Sequence, residues 1–179
     1  LPIVKEGHLT AQRTLKIVND LLDASKIEEG KFGYTFKDAN LTTFLQELLN
    51  QMQAIAKEYD MKLQFMAPAA PYVVRIDAER LGLALSNVID NAIKYNVKHG
   101  SVSVGVEKLA DRPYVKIAVA DTGVGIPKAE LKKLFTKFHR GSNVTQLEPN
   151  GSGLGLYITK NIIERHGGEI GADSIENRG

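Results

Sequence analysis

Four short segments in the second half of the chain restrict its fold more than any other feature. They span residues 87–95, 121–126, 135–141 and 151–156, and each is polar or rich in glycine. One such segment alone would not be decisive, but the four in this order constrain both fold and chemistry.

The segment 150–156 reads Asn-Gly-Ser-Gly-Leu-Gly-Leu and leads into a predicted helix. A glycine-rich turn before a helix offers free backbone N–H groups at the positive end of the helix dipole, and this arrangement binds phosphate. The turn lacks the Gly-Lys-Ser/Thr of a Walker A loop, and it does not follow a strand as a dinucleotide fingerprint does. The pattern therefore predicts the phosphate site of a different ATP-binding fold. A flexible linker is disfavoured because Leu154 and Leu156 begin an apolar helix.

Two amides and a lysine share one face of the helix predicted from Asp77 to about Lys98. Asn87, Asn91 and Lys94 follow at spacings of four and three, and asparagine is a poor residue for a helix interior. Mg²⁺ takes oxygen ligands and keeps waters and substrate phosphates, so an asparagine carbonyl can supply one ligand while the lysine neutralises phosphate charge. On spacing alone, a solvated helix face remains the alternative.

Asp121 ends an apolar strand and begins the turn Asp-Thr-Gly-Val-Gly-Ile. A carboxylate at the end of a buried strand is costly unless it finds a partner, and Gly123 and Gly125 allow a flat ligand to approach the backbone. An ordinary turn has the same composition, so both interpretations stay open for this segment. Phe135 and Phe138, at a spacing of three, are more typical of core packing than of a binding site.

The composition argues against nucleic-acid binding, disulfides and membrane spans. The 179 residues carry a net charge of +2, and the lysines are scattered over different predicted elements, whereas nucleic-acid binders usually have a clustered basic face. The absence of cysteine excludes disulfides and thiolate metal sites and is typical of a reducing cytosol. No apolar run has the length of a membrane span, and no signal peptide opens the chain.

Hydrophobic periodicity predicts a mixture of helices and strands. Helices are expected over residues 3–29, 41–59 with Asn40 or Thr42 as cap, 77–98, a short stretch after Pro127, and 154–166. Strands are expected over residues 34–39, 61–66, 73–76, 102–106, 114–119 and 169–172. The order indicates an α+β fold, in which a mixed sheet covered by helices on one face forms a two-layer α/β sandwich behind a long N-terminal helix.

Together, the four segments resemble the N, G1, F and G2 boxes of the ATP-binding domain of bacterial sensor histidine kinases, which has the Bergerat-type fold shared with gyrase, Hsp90 and MutL. The resemblance implies that Asp121 accepts the adenine amino group, that Asn91 binds Mg²⁺, and that residues 141–150 form a lid over ATP. It implies catalytic roles near the phosphates for Asn87, Lys94 and Arg140. The other nucleotide-binding positions that it implies are Tyr95, Gly123, Gly125, Ile126, Phe138, Gly151, Ser152, Gly153, Leu154, Gly155 and Leu156.

The N-terminal helix carries a second resemblance. Residues 1–30 are similar to the second helix of the dimerisation and phosphoacceptor domain, which in these kinases leads directly into the catalytic domain, here residues 31–179. His8 lacks the acid and the proline expected beside an acceptor histidine, so a catalytic fragment without its own acceptor is implied, and the last strand of the family is expected to be missing. The implied partners are ATP or ADP, the acceptor helix of the same kinase, the receiver domain of a response regulator, and a second copy in the full-length homodimer.

We therefore expect a protein-histidine kinase that transfers the terminal phosphoryl group of Mg-ATP to a histidine on a helix outside this chain, for signalling to a response regulator. The expected location is the cytoplasm, where the chain can be part of a membrane-anchored sensor without contacting the membrane. The alternative is an ATP-hydrolysing switch of the same fold, but such proteins usually place a glutamate base where Asn87 stands, and an amide cannot take a proton. A degenerate partner-binding module is disfavoured because all four boxes are intact.

Overall fold

The computed structural model describes residues 2–144 and 151–179. The helices in these ranges are α1 (Pro2–Glu28), α2 (Leu41–Glu58), α3 (Ala78–Lys94), α4 (Lys128–Leu131) and α5 (Gly155–Arg165). The strands are β1 (Lys37–Asn40), β2 (Lys62–Met66), β3 (Val73–Ile76), β4 (Ser101–Lys108) and β5 (Val115–Asp121).

The described strands form a two-stranded and a three-stranded sheet. β1 pairs antiparallel with β3, while β4 pairs in parallel with β2 and antiparallel with β5. Lys108 lies opposite Val115, so the predicted hairpin closes across residues 109–114. α2 packs on β2, α3 packs on β4 and β5, and α5 packs on α3. The predicted α+β fold, with a mixed sheet covered by helices, is confirmed.

Two apolar clusters hold these elements together and fix the orientation of α3. The larger one joins α2, α3 and the mixed sheet, and its fully buried members include Leu45, Leu49, Ile89, Ile93, Val102 and Val104. The smaller one joins α1, α3 and α5 around Ala24, Phe32, Ala84, Leu154, Ile158 and Ile162. Each fully buried aliphatic side chain contributes about 1.5–3 kcal/mol. The clusters therefore set which residues of α3 face the sheet and which face α5.

The capping residues explain where two helices begin. The side chain of Asn40 accepts the N–H groups of Thr42 and Thr43 at 3.0 and 3.2 Å, which decides between the two caps that the sequence offered for α2. Asp77 caps α3 by accepting the Arg80 N–H at 2.9 Å. Both caps satisfy backbone donors that a helix otherwise leaves unpaired at its first turn.

The predicted C-terminal end of α3 is wrong. The helix ends at Lys94 rather than near Lys98, because the side chain of Asn96 donates to the carbonyl groups of Ala92 and Ser101 at 3.0 and 3.1 Å. These two bonds tie the end of α3 to the start of β4, and the chain turns into the sheet at this point.

Two predicted strands also differ from the structure. The first begins at Lys37 rather than at residue 34, because the rings of Tyr34 and Phe36 pack edge-on against His166 at 6.1 and 4.9 Å between ring centroids. These rings therefore attach the segment to the end of α5. Residues 169–172 are not a strand, and no described strand pairs with them.

α1 presents two different faces to its surroundings. Ala24 is buried and Ile27 half-buried in the smaller cluster. The opposite face is apolar but exposed, and it carries Leu15, Val18, Leu21 and Leu22. A helix with such an exposed apolar stripe is marginal in water unless a partner covers it. Within the described ranges, no helix combines the length and apolar character that crossing a bilayer requires.

Candidate nucleotide-binding site

The polar face of α3 meets the glycine-rich turn before α5. Asn87 is buried, with 6% of its surface exposed, and its Nδ2 donates to the carbonyl oxygen of Gly155 at 3.4 Å. A Cβ atom at Gly155 would lie 3.5 Å from the Asn87 amide carbon, so the two segments are in direct contact. Thr159 adds a second connection, because its hydroxyl donates to the Ala84 carbonyl of α3 at 3.2 Å. Two of the predicted segments are thus brought together across 68 positions of sequence.

Asn91 and Lys94 lie further along the same helix and are half-buried. The Lys94 ammonium forms an ion pair with Asp90 at 2.8 Å, and Lys16 of α1 reaches the same carboxylate oxygen at 3.0 Å. Asp90 was not singled out from the sequence, where its position one residue before Asn91 gives no specific signal. The structure thus shows that the predicted phosphate-neutralising lysine is also part of a link to α1.

The turn after β5 is fastened to the end of α3. The Tyr95 carbonyl accepts the Val124 N–H at 3.0 Å, and Asp121 Oδ1 accepts the Gly123 N–H at 2.8 Å. A Cβ atom at Gly123 would lie 2.5 Å from the Tyr95 carbonyl oxygen, so only glycine fits at this position without a shift of the backbone. The predicted adenine-binding segment therefore adjoins the C-terminal end of the helix that carries the asparagines.

Two other segments, which contain Asn143 and Ser174, bond to the backbone of the turn after β5. Gly125 has a φ of +63° and lies against the backbone of Ile175, and its carbonyl accepts the Asn143 side-chain N–H at 2.9 Å. The Ser174 hydroxyl accepts the Ile126 N–H at 2.8 Å. Sequence reasoning did not find Asn143 or Ser174, because neither belongs to a recognisable pattern and each acts on backbone far from it in sequence.

The phenylalanine segment, residues 135–141, packs against the glycine-rich turn through its backbone. Gly153 has a φ of +69°, and a Cβ atom there would lie 2.8 Å from the carbonyl carbon of Phe138. The Arg140 guanidinium lies close to Gly151, where a Cβ atom would be 3.4 Å from Nε. Phe138 itself has a φ of +59° and is 64% exposed. Phe138 is therefore not part of the core, although its spacing from Phe135 alone favours core packing, whereas Phe135 is half-buried.

The glycine-rich turn also contacts α1. The Ser152 hydroxyl donates to Asp20 Oδ2 at 2.7 Å and accepts the Leu154 N–H at 3.3 Å. Leu154 is buried at 1% exposure and anchors the turn in the smaller cluster, while Leu156 is half-buried. Asp20 is itself buried, with 8% of its surface exposed. No sequence pattern predicts a carboxylate of the first helix beside a turn 132 residues later.

The base of the predicted lid is held by α4. The carboxylate of Glu130 accepts the Ser142 hydroxyl at 2.7 Å and the Ser142 N–H at 3.2 Å, and these bonds lower the pKa of Glu130. The rest of the predicted lid, residues 145–150, lies outside the described residues. The structure thus defines where the first residues of the lid attach.

The side chains present suit Mg²⁺ bound largely through a nucleotide rather than by the protein alone. The described residues contain no group of three or more His, Cys, Asp or Glu side chains that could hold a metal ion. Mg²⁺ commonly binds through one or two protein oxygens together with substrate phosphates and waters. The half-buried Asn91 amide, on the same helix as Asn87 and one turn further along, fits that donor set.

Comparison with known proteins relates the chain to one family of ATPases. Residues 76–179 match the family described as histidine kinase-, DNA gyrase B-, and HSP90-like ATPase. The chain is 32% identical over 168 residues to the sensor histidine kinase WalK of Bacillus subtilis, and 34% identical over 178 residues to the circadian input-output histidine kinase CikA of Synechococcus elongatus. These alignments cover 94% and 98% of this chain but 27% and 23% of the two relatives. The chain therefore spans about a quarter of their length.

Solved structures show the same fold. The nucleotide-free catalytic domain of histidine kinase ThkA aligns with a TM-score of 0.67 at 27% identity, over 80% of this chain and 90% of that chain. The mycobacterial sensor histidine kinase MprB gives a TM-score of 0.62 at 28% identity, over 74% and 81%. Full-length ShkA in complex with AMPPNP gives 0.80 at 22% identity, over 99% and 36%. At that identity, the likeness to ShkA supports the fold alone.

Proposed function

Because the chain belongs to the histidine kinase-, DNA gyrase B- and HSP90-like ATPase family, we propose that it is the ATP-binding catalytic core of a sensor histidine kinase. In this proposal, residues 31–179 bind ATP, and residues 1–30 are one helix of the dimerisation and phosphoacceptor domain. The terminal phosphoryl group goes to a histidine on a different helix of that domain. A response regulator and a second copy of the kinase are the proposed protein partners.

The observation that carries the proposal is the position of α3 between the two glycine-containing turns. Its middle contacts the turn before α5 through Asn87, and its C-terminal end contacts the turn after β5 through Tyr95. Eight residues separate these points, which is about 12 Å along a helix axis. This span is on the scale of an extended nucleoside triphosphate, with adenine at one end of the helix and phosphates at the other.

The adenine end of the proposed site centres on Asp121. Its Oδ1 accepts the Gly123 N–H, which orients the carboxylate and leaves further acceptor capacity for the adenine amino group. A hydrogen bond to an ionised partner contributes about 1.5–3 kcal/mol, which is enough to select adenine over guanine. Tyr95, Gly125 and Ile126 would border the base through the backbone contacts of this turn.

The phosphate end is built from the glycine-rich turn and the cationic groups near it. The backbone of residues 151–156 would donate N–H groups to the phosphates, as helix N-termini do, and Lys94 and Arg140 would neutralise their charge. When Mg²⁺ is bound, with Asn91 as its protein ligand, it supplies charge neutralisation at the phosphate oxygens. Phosphoryl transfer needs positioning and charge stabilisation more than covalent chemistry from the protein, and these residues provide both.

The decisive experiment supplies the acceptor separately. Terminally labelled ATP and Mg²⁺ are incubated with this chain and with a first acceptor helix that contains its histidine. Label is expected on the added helix, at a slow rate because tethering normally supplies much of the rate. The chain alone should remain unlabelled, since His8 has neither the acid nor the proline expected beside an acceptor.

Two outcomes would contradict the proposal. Acid-labile label on this chain that disappears in a His8→Ala variant would make His8 the acceptor and overturn the assignment of α1. Steady release of inorganic phosphate without transfer to the helix would favour the ATP-hydrolysing switch. The buried amide of Asn87, which cannot serve as a base for water, argues against that second function.

A further inference from the structure

One face of α1 makes polar contacts with three segments of the proposed ATP site. Lys16, Asp20 and Glu28 lie on this face at spacings of four and eight, with the buried Ala24 between them. Lys16 pairs with Asp90 of α3, Asp20 accepts the Ser152 hydroxyl of the glycine-rich turn, and Glu28 pairs with Lys137 of the phenylalanine segment. The helix is therefore docked on the phosphate end of the site.

Asp20 is the most consequential of these contacts. Asp20 is only 8% exposed, yet its carboxylate faces the turn that is proposed to receive phosphates. The other two contacts, the Lys16–Asp90 and Glu28–Lys137 ion pairs, involve more exposed side chains. They contribute little to the stability of the docked helix, because water screens them. A carboxylate in a desolvated position interacts more strongly with neighbouring charge. Its charge therefore acts directly on any anion that enters the turn.

The hydroxyl of Ser152 can donate a hydrogen bond to only one anion at a time. It has a single proton, which it donates to Asp20 at 2.7 Å, while its oxygen already accepts the Leu154 N–H. A phosphate oxygen in the turn would need the same proton and would bring negative charge next to the buried carboxylate. The two anions are therefore in competition for one donor.

We infer that Asp20 and the phosphates of a bound nucleotide exclude each other at Ser152, so that docking of α1 and triphosphate binding oppose one another. This inference rests on the proposed function and adds a regulatory contact to the same site. By linkage, whatever holds α1 in place weakens nucleotide binding, and bound nucleotide weakens the docking of α1 to the same extent. Because the opposition is electrostatic, it increases with the number of phosphates on the ligand.

The test compares Asp20→Asn with Asp23→Asn by calorimetry against a non-hydrolysable ATP analogue, ADP and adenosine. Asparagine keeps the size and an acceptor oxygen at position 20 but removes the charge. Asp23 is the matched control, because it is a half-buried carboxylate on the same helix but is not hydrogen-bonded to Ser152. We expect Asp20→Asn to bind the ATP analogue at least about fivefold more tightly, the lower end of typical allosteric couplings. The gain should be smaller for ADP and absent for adenosine, and Asp23→Asn should match the parent chain.

Equal gains for adenosine and the ATP analogue, or unchanged or weaker ATP binding in Asp20→Asn, would overturn the inference while leaving the proposed function in place. Failure of the parent chain and of Asp20→Asn to bind any nucleotide would overturn the proposed function, and the inference with it. A second measurement needs no variant: amide exchange in residues 15–24 should become faster when the ATP analogue is added. Unchanged or slower exchange there, with nucleotide bound, would show that α1 stays docked and would also overturn the inference.

Discussion

Gly153 provides a sharp test of the contact between the glycine-rich turn and the phenylalanine segment. Its φ of +69° disfavours any residue with a Cβ, and this Cβ would lie 2.8 and 2.9 Å from the carbonyl carbon and Cα of Phe138. Gly167 is a matched control in α5's C-terminal turn, because its φ is +76° but nothing lies within 4 Å of the corresponding Cβ position. The two substitutions to alanine therefore share the backbone strain and differ in the collision.

The expected magnitudes follow from this difference. A left-handed residue with a Cβ costs about 1–2 kcal/mol, which is the expected loss of unfolding free energy for Gly167→Ala. In Gly153→Ala the backbone at position 138 must also move, which adds a cost of about 1–3 kcal/mol, as for overpacking of a well-packed interior. The same displacement moves Arg140 and the N–H groups of the turn, so nucleotide affinity should fall at least about tenfold, or 1.4 kcal/mol.

Chemical denaturation measures the stability of both variants, and calorimetry measures their affinity for ADP and an ATP analogue. Gly167→Ala should bind nucleotide as the parent chain does. If the two variants lose the same stability and both keep full affinity, then the close approach of Gly153 to the backbone of Phe138 is not what shapes this turn.

Three further predictions concern single side chains. Asp121→Asn should lower ATP affinity at least tenfold with the fold retained, and calorimetry that finds no change would remove Asp121 from the adenine site. Asn91→Ala should lose Mg²⁺-dependent nucleotide binding while Asn91→Asp loses less; a titration with and without Mg²⁺ that finds equal loss in both would exclude Asn91 as a ligand. Burial raises the pKa of Asp77, but the N–H groups of Arg80 and Thr35 outweigh it and lower the pKa overall. The stabilisation by Asp77 should therefore be present at neutral pH and lost as the pH falls through the lowered pKa. Asp77→Ala should lower the unfolding free energy by about 0.5–2 kcal/mol at pH 7 and by progressively less as the pH falls below the ordinary pKa of 3.8, as compared by urea denaturation.

Local patterns were sufficient for most of the secondary structure. The helix predicted over residues 41–59, which spans Leu41–Glu58 in the structure, and the hairpin of β4 and β5 follow from periodicity and turn residues that lie within a few positions of one another. The same holds for the segments of the candidate site, because their glycines and amides are recognisable in the sequence. Errors arose where a side chain contacts another element of the fold. Asn96 ends α3 early by bonding to Ser101 at the start of β4, and the rings of Tyr34 and Phe36 pack on the distant His166.

The sequence by itself therefore determined the fold class, most of the elements and the types of chemical group at the candidate site. Only the tertiary structure decided which groups meet. The bond from Asn87 to Gly155, the contact of Ser174 with Ile126, and the bond from Ser152 to Asp20 join positions 68, 48 and 132 residues apart. Hydrophobic periodicity is a local property with periods of 2 or 3.6 residues, whereas these bonds depend on how the buried clusters set the helices against one another. For that reason the sequence shows a phosphate-binding turn, and only the fold shows that a buried carboxylate of α1 lies against it.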